Sequence, residues 1–219
     1  MPKDADRAVY LDCDVVIRRC IGDLYDLDMD GAVALAALDQ GAAFVACPWG
    51  LGNWFELGQQ PSDFNFNSGV MLIDIEAWRR DRIGRTAIEY ARVSGPDVRE
   101  FPINCDQEAL NATVGKRIGT LDPRWNQQGE LFTPANAAVL PFPRETVEKI
   151  RQDPWVVHYS TGTKPWHFGC THPWVAEWFV NLDDTEYRGW RPPAPGALVT
   201  LTRKARKFAG KAARRLGAM

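Results

Sequence analysis

The 219-residue chain reads as an α/β fold. Three observations predict that class. Short apolar runs recur at residues 8–11, 69–75 and 155–159, each of a length that suits a strand buried on both faces. The segments between them carry helix start and stop signals. The first run also leads straight into Asp12-Cys13-Asp14, so two carboxylates fall at a strand's carboxyl end, where open α/β sheets place their ligands.

Taken in order, residues 8–11 form the first strand and 12–30 an Asp-rich loop. Gly-Ala-Val-Ala-Leu-Ala-Ala-Leu at 31–38 is ambiguous by periodicity between a buried strand and a short helix. Residues 47–65 hold Pro48, Gly50, Gly52, Gly58 and Pro61 among aromatics, which predicts a loop with at most one helical turn. A second buried strand at 69–75 leads into a helix from about Glu76 to Val93, stopped by Ser94-Gly95-Pro96. Asp106 to Val114 is a helix with Asp106 as N-cap or in the first turn. Short strands and turns fill 116–143, and Glu145 to Arg151 is a helix ended by Asp153-Pro154. Trp155 to Tyr159 is a third buried strand, opening into the loop Ser160 to Trp166. Pro173 to Val180 is a last core helix, with Pro well placed near its start. No internal repeat is visible.

Composition narrows the setting. The 45% hydrophobic content is enough for a proper core in one domain, assigned to residues 1–190. Arg191-Pro-Pro-Ala-Pro-Gly196 opens a linker and tail, 191–219. Residues 200–219 carry seven basic side chains and no acid, so a net charge of −2 overall leaves −9 on residues 1–199. In the tail, Leu201, Ala205, Phe208, Ala212 and Leu216 make one apolar stripe flanked by the basic residues. Such a helix can lie on an anionic membrane surface; the bland alternative is a solvated basic end. Nucleic acid is not expected as a partner. Five widely spaced cysteines with no C-x-x-C pair argue against a zinc site or a disulfide framework and fit a reducing cytoplasm. The polar start has no apolar h-region, and no run approaches the length of a membrane span.

The chemistry concentrates at Asp12 and Asp14. Strand side chains two apart point to one side, and two convergent carboxylates make a hard oxygen site for Mg²⁺ or Mn²⁺ carrying a phosphate. Three further segments stand with this one: Phe-Asn-Ser-Gly-Val-x-Leu-Ile-Asp at 66–74, Asp-Gln-x-x-Leu-Asn at 106–111, and His-Tyr-x-x-x-x-Lys-Pro-Trp at 158–166. With Tyr-Leu-Asp-x-Asp-x-Val at 10–16, in this order and spacing, they closely resemble glycosyltransferase family 8 over about residues 8–180.

The resemblance implies a GT-A, Rossmann-like fold with a mixed sheet flanked by helices. It also implies a retaining hexosyltransferase that uses a UDP-sugar donor, a saccharide or lipopolysaccharide-type glycolipid acceptor and Mn²⁺, with Mg²⁺ as the alternative ion. By the same resemblance Asp12, Asp14 and His158 hold the metal; Gly162 and Lys164 bind the diphosphate and steady it as it leaves; Asn67 reaches the donor sugar or its phosphate; Asp106 and Gln107 face the sugar ring. Each has a plainer reading too. His158 can be a packed core histidine, Asn67 can satisfy loop backbone, Asp106 can cap its helix, and Lys164 can be solvated. Gln107 stands where a double displacement would need a carboxylate, so front-side attack by the acceptor is the favoured course. His167 and His172 are read as structural or surface residues. Trp78, Trp125 and Trp166 can stack on sugars, but none is assigned to the acceptor.

The chain departs from the family at its front. Only eight residues precede Val9, too few for the βαβ unit that would bind uracil and ribose, so the alternatives are a misplaced start, a fragment of a longer protein, or lost donor binding. The expectation is an open sheet edge at the first strand, self-association, and loss of discrimination among nucleoside diphosphates. Two rival readings follow: an inactive relative that binds a membrane or a partner, and a haloacid-dehalogenase-like phosphatase with Asp12 as nucleophile.

Overall fold

The computed structural model describes residues 5–93, 105–133, 140–194 and 196. They form two compact units, divided between Gly162 and Thr163.

The first unit is built on two small sheets. Strands β1 (Arg7–Leu11), β3 (Ala34–Leu38), β4 (Phe66–Asp74) and β5 (Ile118–Thr120) make one, in the order β1-β4-β3-β5. β4 runs antiparallel to both β1 and β3, and β3 runs parallel to β5, so the sheet is mixed. Strands β2 (Val15–Ile17), β6 (Gln127–Gln128) and β7 (Val156–His158) make the other, in the order β2-β7-β6.

Side-chain alternation explains the packing. On one face of the larger sheet, Leu35, Ala37, Val70 and Leu72 pack with Leu24, Met29, Leu121, Trp125 and Val156. On the other, Ala34, Ala36, Met71 and Ile73 pack with Ala77, Ile83 and Val114. The second group comes from helices α2 (Ile75–Arg80) and α3 (Ile83–Val93) and the end of α4 (Cys105–Val114). Because β3 feeds both cores, all five of its residues are buried. This resolves the ambiguous stretch 31–38 as a strand over its last five residues, Ala34–Leu38. Each fully buried leucine here stabilises the fold by about 1.5–3 kcal/mol.

Four expectations need correction. β1 is not buried on both faces. It is the edge of its sheet; Val9 and Leu11 pack against the core but none of its residues is fully buried, and Tyr10 is 42% exposed. The loop assigned to 12–30 contains β2 and the short helix α1 (Gly22–Tyr25). The single helix 76–93 is two, because Arg82 takes a left-handed φ of 54° between them and turns Ile83 into the core. The last helix, α6 (Val175–Asp183), follows α5 (Arg144–Gln152) and buries none of its residues, so it is not a core helix. It belongs to the second unit, where Trp166 and Trp178 pack at 5.0 Å and Arg191 pairs with Asp183 at 2.7 Å. The turn at 94–96 and the tail helix lie outside the described residues. Among those residues no helix is long and apolar enough to cross a membrane.

Candidate metal and donor site

The site forms where the two sheets meet. Leu11 pairs with Val70 at the end of β1, and the next residue, Asp12, donates its backbone N–H to Gly69 O at 2.9 Å. The chain turns through Cys13 and enters the second sheet at Val15, which pairs with His158. Asp14, one residue earlier, accepts from Tyr159 N at 2.9 Å through its backbone carbonyl. The two carboxylates therefore converge across a turn between two sheets, rather than by i, i+2 spacing along one strand.

His158 Nε2 lies 3.6 Å from Asp12 Oδ2 and 3.4 Å from Asp14 Oδ1. One ligand atom from each of the three falls within 4.8 Å of the others. Neighbouring ligands on an octahedral ion with bonds near 2.1 Å sit about 3.0 Å apart, so small adjustments would bring the set onto one ion. Asp14 and His158 are buried and Asp12 is partly exposed, which leaves an open side. Tyr10 Oη donates to Asp12 Oδ1 at 2.8 Å. That bond, with burial and the Asp12 charge, pushes the phenol up to about 12.

Asn67 and Gln107 are both buried and joined to His158 through amides. Asn67 Nδ2 donates to Gln107 Oε1 at 2.9 Å. Asn67 Oδ1 accepts from Gly69 N at 3.0 Å and from Asn126 Nδ2 at 2.9 Å. Asn126 Oδ1 in turn meets His158 Nδ1 at 2.9 Å. Gln107 Nε2 donates to Asp39 Oδ2 at 2.8 Å. Helix α4 is fixed for this by Asn111, whose side chain bonds both the N–H and the carbonyl of Phe66 at 2.9 Å.

The remaining predicted residues lie differently. Asp106 is exposed in the first turn of α4 and accepts from the adjacent Gln107 N at 2.9 Å. It also borders a cavity of about 320 Å³ with Tyr10, Ser68 and Trp78. Gly162 is exposed, and a Cβ there would touch nothing within 4 Å. Lys164 belongs to the second unit, where its N–H donates to His167 Nδ1 at 3.2 Å. His172, also there, accepts from Trp174 N at 3.2 Å.

Sequence reading missed Gly69, Asp39 and Asn126. A Cβ on Gly69 would lie 2.3 Å from His158 Cε1 and 2.8 Å from Asp12 Oδ2, so only glycine lets the ligand group sit on β4. The signal was present in Asn67-Ser68-Gly69, a glycine inside a strand, which marks close approach. Asp39 and Asn126 carried no pattern of their own.

Known proteins similar to this chain point to one family. Residues 1–170 match the model of the family described as Glycosyl transferase family 8. General stress protein A of Bacillus subtilis is 30% identical over 86% of the chain and 62% of its own length. Lipopolysaccharide 1,3-galactosyltransferase of Salmonella typhimurium is 28% identical over 80% of the chain and 48% of its own length. The galactosyltransferase LgtC, solved with donor and acceptor sugar analogs, is similar in structure with a TM-score of 0.61 and 26% identity, over 89% of this chain and 65% of that one. This chain thus spans about half to three-fifths of the length of the curated relatives it matches. With the family model covering residues 1–170 and a relative 30% identical over 86% of its length, the chain belongs to glycosyltransferase family 8.

Proposed function

We propose that this chain works in retaining hexosyl transfer, moving a hexose from a UDP-sugar to a saccharide or lipopolysaccharide-type acceptor with Mn²⁺. The observation that carries the reading is the convergence of Asp12, Asp14 and His158 on one partly open point. Two carboxylates with one imidazole suit Mn²⁺ better than Mg²⁺. Bound there, the ion would supply Lewis-acid stabilisation of the charge that grows on the leaving diphosphate. Family membership sets aside the phosphatase reading of Asp12.

The protein's own groups favour front-side attack. The Gln107 carbonyl accepts from Asn67 Nδ2 and Ser68 N, which leaves a poor donor of electrons. Asp39, a carboxylate 2.8 Å away, accepts from Gly41 N, Ala42 N, Gln107 and Asn67, so its electron pairs are also engaged. Neither is suited to a covalent sugar intermediate. The acceptor hydroxyl therefore forms its bond to the anomeric carbon on the face the diphosphate leaves, and its proton passes to the departing phosphate oxygen. Asn67 and Gln107 shape the donor-sugar floor, and Asp106 offers a carboxylate to sugar hydroxyls. Gly162 and Lys164 enter as diphosphate-binding residues on the resemblance alone.

The reading places the protein in the cytoplasm, with the basic tail resting on an anionic membrane face. Flotation with anionic vesicles at low salt tests the tail; unchanged association after deletion of residues 197–219 ends that part. For the site, Asp14→Ala abolishes metal-dependent UDP binding in calorimetry. Unchanged Mn²⁺–UDP affinity in that variant ends the assignment.

A further inference from the structure

A neutral imidazole can face a cation only with the nitrogen that lacks a proton. The hydrogen bonds around His158 decide which one that is. Asp39 accepts only, and its Oδ2 receives Gln107 Nε2 at 2.8 Å. Gln107 must then turn its carbonyl oxygen the other way, where Asn67 Nδ2 meets it at 2.9 Å and Ser68 N at 3.3 Å. Asn67 must in turn present Oδ1, which receives Asn126 Nδ2 at 2.9 Å and Gly69 N at 3.0 Å. Asn126 is left with Oδ1 facing His158 Nδ1 at 2.9 Å. An oxygen there accepts, so Nδ1 carries a proton, and in the neutral ring Nε2 is the nitrogen left with a lone pair, beside Asp12 and Asp14. The direction is anchored by a carboxylate at one end and by two backbone N–H groups of β4 along the way.

Asn126 cannot swing aside. It is fully buried, and Gln40 Nε2 donates to its backbone oxygen at 3.0 Å. Gln40 and Gln128 also exchange backbone-to-side-chain bonds at 2.8 and 3.0 Å, tying β6 to the end of β3.

We propose that Asn126 is a positioning residue for His158. Through a one-way amide relay from Asp39, it holds the imidazole as the Nδ1–H tautomer with Nε2 open toward the two carboxylates. The consequence for metal binding rests on the reading given above, but the hydrogen bond from Nδ1 to Asn126 needs no ion. Without Asn126, Nδ1 loses its acceptor and the carboxylates draw the proton to Nε2. A metal must then displace that proton, and outer partners of this kind typically change affinity ten- to a hundredfold.

Side-chain ¹⁵N NMR of the metal-free chain, at a pH raised until the imidazole is neutral, reads the tautomer, and electron paramagnetic resonance of free Mn²⁺ reads affinity. The expected result is Nδ1–H in the wild type, Nε2–H in Asn126→Ala, and a ten- to hundredfold weaker Mn²⁺ affinity in that variant. Asn126→Asp keeps an acceptor at Nδ1 and retains the wild-type tautomer. Nε2–H in the wild type overturns the proposal even if Asn126→Ala does not fold, as does a shift to Nε2–H in Asn126→Asp. An unchanged tautomer in Asn126→Ala overturns it too. A wild type that shows Nδ1–H but binds no Mn²⁺ supports the relay and sinks the metal reading instead.

Discussion

Gly69→Ala places a methyl group against the ligand cluster. Gly69 lies within β4 under the turn that carries Asp12 and Asp14, and its added Cβ would sit 2.3 Å from Cε1 and 2.8 Å from Nδ1 of His158. Ordinary van der Waals contact begins at 3.4 Å, so the ring must retreat by about 1.1 Å, the difference of the two distances. It has little freedom to do so. The ring is 3% exposed, Nδ1 is bonded to Asn126, and the backbone is paired with Val15. Overpacking a closed site by one methyl costs about 1–3 kcal/mol. For a chain of this size each kcal/mol lowers the melting temperature by about 2–4 °C. The same displacement is about half a metal–nitrogen bond length, so His158 leaves the ligand set and Mn²⁺ affinity falls by at least about tenfold. Thermal melting by circular dichroism and paramagnetic resonance of free Mn²⁺ measure both effects. A variant with native melting and native Mn²⁺ affinity would refute the close-approach argument.

Other outcomes follow from single contacts. Arg82→Gly relieves the left-handed φ of 54° and stabilises the protein by about 0.5–1 kcal/mol in urea unfolding; destabilisation would mean the Arg82 side chain contributes more than the strain it carries. Asn111→Ala orphans the Phe66 N–H and carbonyl, costs about 2–4 kcal/mol, and loosens α4 from β4, which amide hydrogen exchange at Phe66 reports. Asp183 titrates at about 2, held down first by the Arg191 hydrogen bond and then by Gly189 N–H. A depressed carboxylate contributes its contact above the ordinary value near 3.8 and loses it as pH falls toward 2. In Arg191→Ala the carbon-detected midpoint of Asp183 moves back up, and an unmoved midpoint would show that the pair does not form.

Much of this was legible in the residues, for identifiable reasons. Asp12, Asp14 and His158 sit in motifs dense enough to be recognised together, and the apolar stretches 70–73 of β4 and 156–157 of β7 mark their strands, while β3, wholly apolar, left strand and helix open. What failed to show was whatever depends on partners distant in sequence. An open edge at β1 was expected, but not that its residues are only partly buried, because its apolar side chains read the same with one face covered or two. The break at Arg82 is set by where Ile83 must pack, not by Gly or Pro. Asp39 and Asn126 are ordinary polar residues in the sequence. They gain meaning only because Gln40 and Gln128 bring β3 and β6 together, so that Asn126 reaches Asn67, 59 positions away.

The most direct test is pulsed paramagnetic resonance of the chain titrated with Mn²⁺ alone. The account predicts one equivalent of bound ion with a nitrogen coupling from one imidazole. That coupling disappears in His158→Ala, and the bound ion disappears in Asp14→Ala. An ion that binds without nitrogen coupling, or one that still binds with native affinity after Asp14→Ala, would contradict the claim that these three side chains form the metal site.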